Sequence, residues 1–334
     1  LADKKHNIGV IGDGGWGTAV ALLLLSNGHR VTMWGNFPDY IAEMNERREN
    51  ARFLPGIPLP QELKITALQN DLEGSDVFVN AVPTQFVRPV FECFRRYCSG
   101  DKLVISLSKG IENGTLQRPS GIIRELIPDV PIAVLSGPSH GEEVARGFPT
   151  SVVAASEDAN HAKQAQMFFA NKRFRVYTAS DVVGVELAAA LKNVIAVAAG
   201  ICDGLGIGDN AKAAIFSRGL VEMSRLGIAM GGERETFFGL AGVGDLFTTC
   251  TSVHSRNRAV GERIGRGEKL DAILSSMKMV AEGVATTRSV IELAERHKVE
   301  MPIATQAFDI LFKNKSPMDG MKELMSRAPK PEFW

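Results

Sequence analysis

The pattern that most restricts the fold is an alternation that stops. Through the first half run the short β-rich stretches "NIGVIG", "HRVTMW", "DVFVNAVP", "KLVISLS", "PIAVLSG", "TSVVAAS" and "RFRVYT", most of them separated by segments with helical spacing. Such alternation predicts a mainly parallel sheet with helices on both faces. After about residue 180 the strand runs end. From Asp181 onward the chain reads as helices: "DVVGVELAAALKNVIAVAAGI", "NAKAAIFSRGLVEMSRLG", "GVATTRSVIELAERH" and "IATQAFDILFK", divided by glycine, proline or polar breaks. With 334 residues there is chain enough for two cores. The expected architecture is α/β: a sheet domain over residues 1–180 and an all-α domain over 181–334, with the tail "SRAPKPEFW" irregular.

The first β run leads into "IGDGGWGTAVALLLLS", where Gly12, Gly14 and Gly17 fit G-x-G-x-x-G between a strand and a helix. The three glycines serve a tight turn, approach of backbone to a pyrophosphate, and close helix-to-strand packing. Strand, turn, helix and second strand follow in order, so the sheet domain reads as Rossmann-type and dinucleotide-binding. An NAD-selective site usually has Asp or Glu at the end of the second strand to hold the ribose 2′-OH. Here that strand ends "MWGN", and neutral Asn36 does not repel a 2′-phosphate. NADP is thus permitted beside NAD, and NADPH is favoured. Arg47 or Arg48 could assist if the next helix brings them near, although a solvated helix face is the simpler explanation of both.

Composition excludes several classes. The 38 basic and 38 acidic side chains leave a formal charge of 0, so there is no global field for nucleic acid or an anionic membrane. Cys93, Cys98, Cys202 and Cys250 form no CxxC pair, which argues against a zinc or other metal site and for reduced thiols in a cytoplasmic protein. The start "LADKKHN" has no apolar run before the first strand and does not read as a signal peptide. The most apolar stretch, 182–201, contains Glu186 and Lys192, which a membrane span would have to bury in lipid. It reads as a buried helix.

A nicotinamide enzyme moves a proton as well as a hydride and needs a base near the nicotinamide. Lys192 lies in "ELAAALKNVIAVAAG", with its nearest charged neighbour in sequence, Glu186, six residues back. An ammonium in apolar surroundings loses pKa, as a lysine base requires. A lysine snorkelling from a partly exposed helix would have the same sequence. Lys109 follows the strand "VISLS", at the edge where open α/β sheets bind ligands, though a surface turn also accommodates it. Asp245 in "GLAGVGDLFTTC" is flanked by glycines that admit a ligand, or it caps the following helix. "HSRNR", residues 254–258, offers hydroxyl, guanidinium and amide donors to a phosphate, or is an exposed helix start.

Together the residues resemble the bacterial type of NAD(P)-dependent glycerol-3-phosphate dehydrogenase. The resemblance runs through "GDGGWGTAVA", "NAVPTQF", "SLSKGIE", "SGPSHGEEVARGFPT", "LKNVIAVAAGICDGLGIGDNAKAAIFSRGL", "GLAGVGDLFTTCTSVHSRNRAVG" and "VAEGVATT". It implies conversion between sn-glycerol 3-phosphate and dihydroxyacetone phosphate, in the reducing direction a source of glycerol phosphate for phospholipids. It implies Lys192 as proton acceptor, Lys109 touching both substrate and nicotinamide, and Asp245 as the active-site aspartate. Ser255, Arg256 and Asn257 match the substrate-phosphate triplet, and Gly137 and Ser139 match substrate contacts. For the cofactor it implies Gly15, Trp16, Phe86, Gly141, Arg256, Val280 and Glu282. The family usually has Ala where Gly141 stands and often Ser or Asn where Gly15 stands, so a side-chain contact from position 15 is ruled out. Hydroxy-acid and 6-phosphogluconate dehydrogenases share the layout but place an Asn four residues after the lysine, whereas Asn193 is adjacent. A dinucleotide-binding sensor without turnover is the non-enzymatic alternative. By analogy with other helix-rich second domains, a homodimer is expected.

Overall fold

The computed structural model describes residues 5–98, 100–277, 279–329 and 331–332. One eight-stranded sheet organises the first half: β1 (Asn7–Ile11), β2 (Arg30–Trp34), β3 (Lys64–Thr66), β4 (Val77–Asn80), β5 (Leu103–Ser106), β6 (Ile132–Ser136), β7 (Thr150–Ala155) and β8 (Phe174–Ala179). Their spatial order is β3-β2-β1-β4-β5-β6-β7-β8. Pairing is parallel except between β6 and β7, where Val134 faces Ala155 in an antiparallel pair. Seven of the eight strands coincide with the expected runs; β3, a three-residue edge strand, does not stand out in sequence.

Alternation along each strand sorts side chains to two faces. Val10, Val79 and Ile105 join one buried cluster, while Ile11, Phe78 and Val104 join another on the opposite face. Both faces are covered, which is why the central strands are apolar throughout. The chain leaves β1 for β2 on one side and reaches β4 on the other, so the crevice at the carboxyl ends of β1 and β4 is a topological switch point.

The helical half is built around one helix, Val182–Leu205. Its N-cap Asp181 accepts from Gly184 N at 2.7 Å and also takes Glu233 N and the Thr236 hydroxyl, joining three segments at one carboxylate. This is the one described helix long and apolar enough to cross a membrane, and it is almost wholly buried within the protein. Leu187, Leu191, Val194 and Ile195 fill its core contacts, each contributing about 1.5–3 kcal/mol by burial. Glu186, on the same helix, accepts from Ser120 N at 2.8 Å and pairs with Arg118, tying the helix to the sheet half.

The closest crossing is with the helix Arg256–Gly265. Gly200 and Gly204 on one helix face Gly261 and Gly265 on the other, and a Cβ at any of the four would run into a backbone carbonyl, of Arg258, Glu262, Val197 and Ile201 respectively. Only hydrogen side chains let these backbones approach so closely. The tail expected to be irregular is so over residues 326–329 and 331–332; Lys330, Phe333 and Trp334 lie outside the described residues, as do Leu1 to Lys4 of the expected N-terminal segment.

Candidate active site

At the sheet's carboxyl edge the glycine turn and the helical half face one another across a cavity of about 190 Å³. Gly12 holds φ +118°, and a Cβ there would sit 2.8 Å from Ala81 O, so the turn requires glycine. Gly14 has open space above its Cα, and Gly17 packs directly on Gly12 O. The helix Gly15–Ser26 has no side-chain cap and no acidic residue in its first turn. Its first N–H groups therefore have no side-chain acceptor and suit an anion. Trp16 Nε1, buried at the same turn, has no partner. These features fit a dinucleotide pyrophosphate.

Opposite the turn, Asp245 receives two lysines from two different halves of the chain. Lys192 Nζ stands 2.8 Å from its Oδ1, and Lys109 Nζ stands 2.7 Å from its Oδ2. Lys192 is 6% exposed and Asp245 is 2% exposed, so Lys192 does not snorkel. Nor does Asp245 cap its helix: it follows a π-helical turn at Leu240–Gly244 and opens the helix Asp245–Thr251, with its carboxylate spent on the lysines. Thr249, one turn on, places its hydroxyl 2.7 Å from Lys192 Nζ. Lys109 also donates to Gly137 O at 3.0 Å and lies 3.4 Å from the Ser139 hydroxyl, so it is no free surface lysine.

Burial pushes the Lys192 ammonium down to about 8, against the pull of Asp245 and with help from the charge of Lys109. Burial also disfavours ionised Asp245, but the two ammoniums outweigh it and hold that carboxyl below its usual range. The centre thus keeps a carboxylate charged while loosening one lysine's proton.

The remaining residues form a connected wall. Asn193 donates to Lys109 O at 3.0 Å, and its carbonyl accepts from Asn257 Nδ2 at 2.8 Å. Asn257 in turn accepts from Gly283 N at 3.0 Å. Ser255 is the N-cap of the helix Arg256–Gly265, accepting from Arg258 N at 3.3 Å, so "HSRNR" is a helix start and a cavity wall at once. Arg256 donates to Val280 O at 2.9 Å, and Glu282 accepts from Thr84 N at 2.8 Å. Burial raises the Glu282 carboxyl.

Of the residues singled out from sequence, Gly14, Gly15, Trp16, Gly17 and Gly141 line the cavity on the cofactor side. Lys109, Ser139, Lys192 and Asp245 line its centre, and Ser255, Arg256, Asn257, Val280 and Glu282 its far wall. Gly12 and Gly137 are not in the lining: Gly12 O lies under Gly17, and Gly137 O accepts from Lys109 Nζ. Asn36 and Phe86 are not in the lining; both are exposed, Asn36 just past β2 and Phe86 in the turn Thr84–Phe86. Arg48 is not free to assist a 2′-phosphate, since its guanidinium donates to Leu59 O, Pro60 O and Leu63 O. Arg47 pairs with Glu43. Sequence reasoning missed Thr249, although it lies at i+4 from Asp245, and Asp13, whose buried Oδ2 has no partner and which a Cβ at Gly35 would meet at 2.7 Å.

An anion-ready glycine turn set across from a lysine poised to exchange a proton defines a dinucleotide-dependent dehydrogenase. Residues 7–162 match the model of the NAD-dependent glycerol-3-phosphate dehydrogenase N-terminus, and residues 181–322 that of its C-terminus. Similar over nearly the whole length are glycerol-3-phosphate dehydrogenase [NAD(P)+] of Prosthecochloris aestuarii, 48% identical over 98% of this chain and 99% of the relative, and that of Bacillus cytotoxicus, 49% identical over 97% and 96%. The crystal structure of glycerol-3-phosphate dehydrogenase from Coxiella burnetii superposes with a TM-score of 0.93 at 38% identity, over 97% of this chain and 99% of that one. The chain belongs to the NAD-dependent glycerol-3-phosphate dehydrogenase family and is an NAD(P)-dependent oxidoreductase.

Proposed function

We propose that this chain interconverts sn-glycerol 3-phosphate and dihydroxyacetone phosphate, with Lys192 as the proton acceptor. The observation that carries this reading is the buried Lys192–Asp245–Lys109 chain facing the glycine turn, with Lys192 brought to about 8. In this reading residues 1–180 hold the dinucleotide and residues 181–334 hold the substrate. The nicotinamide, when bound, supplies the hydride exchanged with C2.

Arg256 and Ser255 anchor the phosphate, with the second Asn257 N–H turned to it, and this sets C2 at a fixed reach from Lys192. Such positioning can lower a barrier by several kcal/mol. Neutral Lys192 Nζ takes the C2 hydroxyl proton during oxidation and returns it during reduction. Lys109 orients the same oxygen, while Asp245 holds both ammonium groups in place and balances their charge. Asn36 leaves room for a 2′-phosphate, so both cofactors are accepted and NADPH is favoured. In the reducing direction the product supplies the glycerol backbone of phospholipids, and the free thiols suit work in the cytoplasm.

The test is loss of absorbance at the reduced-nicotinamide band with dihydroxyacetone phosphate, run with NADPH and NADH side by side. Rapid oxidation of either supports the reaction, and their ratio measures the preference. Lys192→Met should lower turnover about 100- to 10,000-fold. Near-normal turnover in that variant would remove the base assignment, and no oxidation by the unaltered enzyme would remove the substrate.

A further inference from the structure

Around the lysine centre nearly every polar side chain already has its partners. The Ser139 hydroxyl donates to Gly137 O at 2.9 Å, Ser108 donates to Val82 O at 2.5 Å, and Thr249 donates to Asp245 O at 2.6 Å. The Asn193 amide is bonded at both ends. Apart from Trp16 Nε1 at the glycine turn, His140 is the exception in this lining: its Nε2 is shielded from solvent and bonded to nothing. A buried polar atom without a partner carries its full desolvation cost, and such an atom in a native site calls for an explanation, of which an occupant is one.

The ring's place limits what that occupant is. His140 follows Ser139, whose hydroxyl lies 3.4 Å from Lys109 Nζ, and its ring centroid lies 5.8 Å from that of His254, which leads into Ser255 and Arg256. It therefore stands between the groups that hold the C2 oxygen and those that hold the phosphate. Burial, and then the charge of Lys192, lowers its pKa, with Glu142, Asp245 and Glu143 pulling the other way; the ring is neutral at pH 7. A neutral imidazole nitrogen donates in one tautomer and accepts in the other. A hydroxyl matches either, whereas a phosphate matches only the donor.

The proposed substrate has three polar groups, and two are accounted for. We infer that His140 Nε2 hydrogen-bonds the C1 hydroxyl of the triose phosphate and makes the enzyme select substrates that carry it. This rests on the substrate reading above. A site built to bond a hydroxyl rejects the analogue without it, because its own polar group is then left buried and unpaired.

The test compares dihydroxyacetone phosphate with hydroxyacetone phosphate, which has hydrogen in place of the C1 hydroxyl, by kcat/KM in the unaltered enzyme, His140→Phe and His140→Gln. The unaltered enzyme should prefer dihydroxyacetone phosphate about 10-fold or more. His140→Phe should bring the ratio close to 1 by lowering kcat/KM for dihydroxyacetone phosphate alone, its turnover of hydroxyacetone phosphate serving as the control for folding. His140→Gln, which restores hydrogen-bonding atoms, should recover part of the preference. An equal loss on both substrates would overturn the inference and make His140 structural or a phosphate contact. An unchanged ratio with weakened NADPH binding, read from cofactor fluorescence without substrate, would overturn it in favour of a cofactor contact. Failure of the unaltered enzyme to turn over either ketone would instead refute the substrate reading on which the inference stands.

Discussion

The proposed reaction depends at neutral pH on how much Lys192 lacks its proton. A lysine at its ordinary 10.5 is about 0.03% neutral at pH 7, whereas one at about 8 is about 10% neutral, roughly 300-fold more base. Asp245, 2.8 Å away, works against that gain, and Lys109 works for it. Asp245→Asn keeps the shape and an acceptor oxygen but removes the charge, leaving two ammonium groups near one another in a buried site. The Lys192 pKa should then fall, by about one unit or more for loss of a counter-ion at this range. The assay is kcat/KM for glycerol 3-phosphate oxidation from pH 6 to 10, since that ratio reports groups of the free enzyme. For the unaltered enzyme the rate should rise with pH, pass half its maximum near 8 and level about one unit above that. In Asp245→Asn the plateau should be lower but reached at more acidic pH. A variant profile that stays in place or moves to higher pH would refute the electrostatic account, and an unaltered profile still rising at pH 10 would show that Lys192 is not poised as described.

Three further outcomes are expected. Arg256→Ala should raise KM for dihydroxyacetone phosphate about 10-fold or more, with a smaller change in kcat, as loss of a charge-assisted bond to phosphate requires; an unchanged KM would remove that role. Gly200→Ala places a methyl against Arg258 O, and overpacking of this kind costs about 1–3 kcal/mol, so both a lower Tm and a higher substrate KM should follow. Glu222, which accepts from Ile303 N at 2.7 Å, is pushed by burial up to about 7 from 4.5. Between those values the native protein keeps a proton that the unfolded chain has released, so stability falls as pH rises through the window, by up to about 3 kcal/mol. Glu222→Gln should flatten that slope when urea unfolding is compared at pH 5 and pH 7.5.

Runs of branched apolar residues announced seven strands because those strands have four residues or more, buried on both faces at the sheet's centre and alternating buried with exposed in β8. Lys64–Thr66 was invisible because three residues at a sheet edge establish no period, and their assignment comes from pairing with β2. The reversed direction of β7 and β8 was not legible either, since a strand's composition does not carry its polarity. Within the site, the glycine turn could be read locally because its chemistry is contiguous. The meeting of Lys109 with Asp245 spans 136 positions and could not be read from spacing; local setting marked both residues, resemblance gave them roles, and the fold supplies the contact. Asn36, read from its place just past β2, and Phe86, taken from the resemblance, lie outside the lining of this cavity. His140 was passed over because its neighbours on both sides carried the resemblance while its own signal, an unpaired nitrogen, exists only in three dimensions.

The crossing of glycines 200 and 204 with 261 and 265 has a consequence for what can evolve here. Lys192 and Arg256 ride on the two helices that this crossing locks together, so the span between the residues proposed as proton acceptor and phosphate anchor is gauged by main chain against main chain. Side-chain replacement around the cavity can retune polarity or cofactor choice without altering that gauge. On the proposed reading, lengthening that span for a substrate one carbon longer means parting two backbones already in direct contact at Gly200, Gly204, Gly261 and Gly265. Substrate length is therefore expected to be the property of this scaffold most resistant to change by single side-chain replacement.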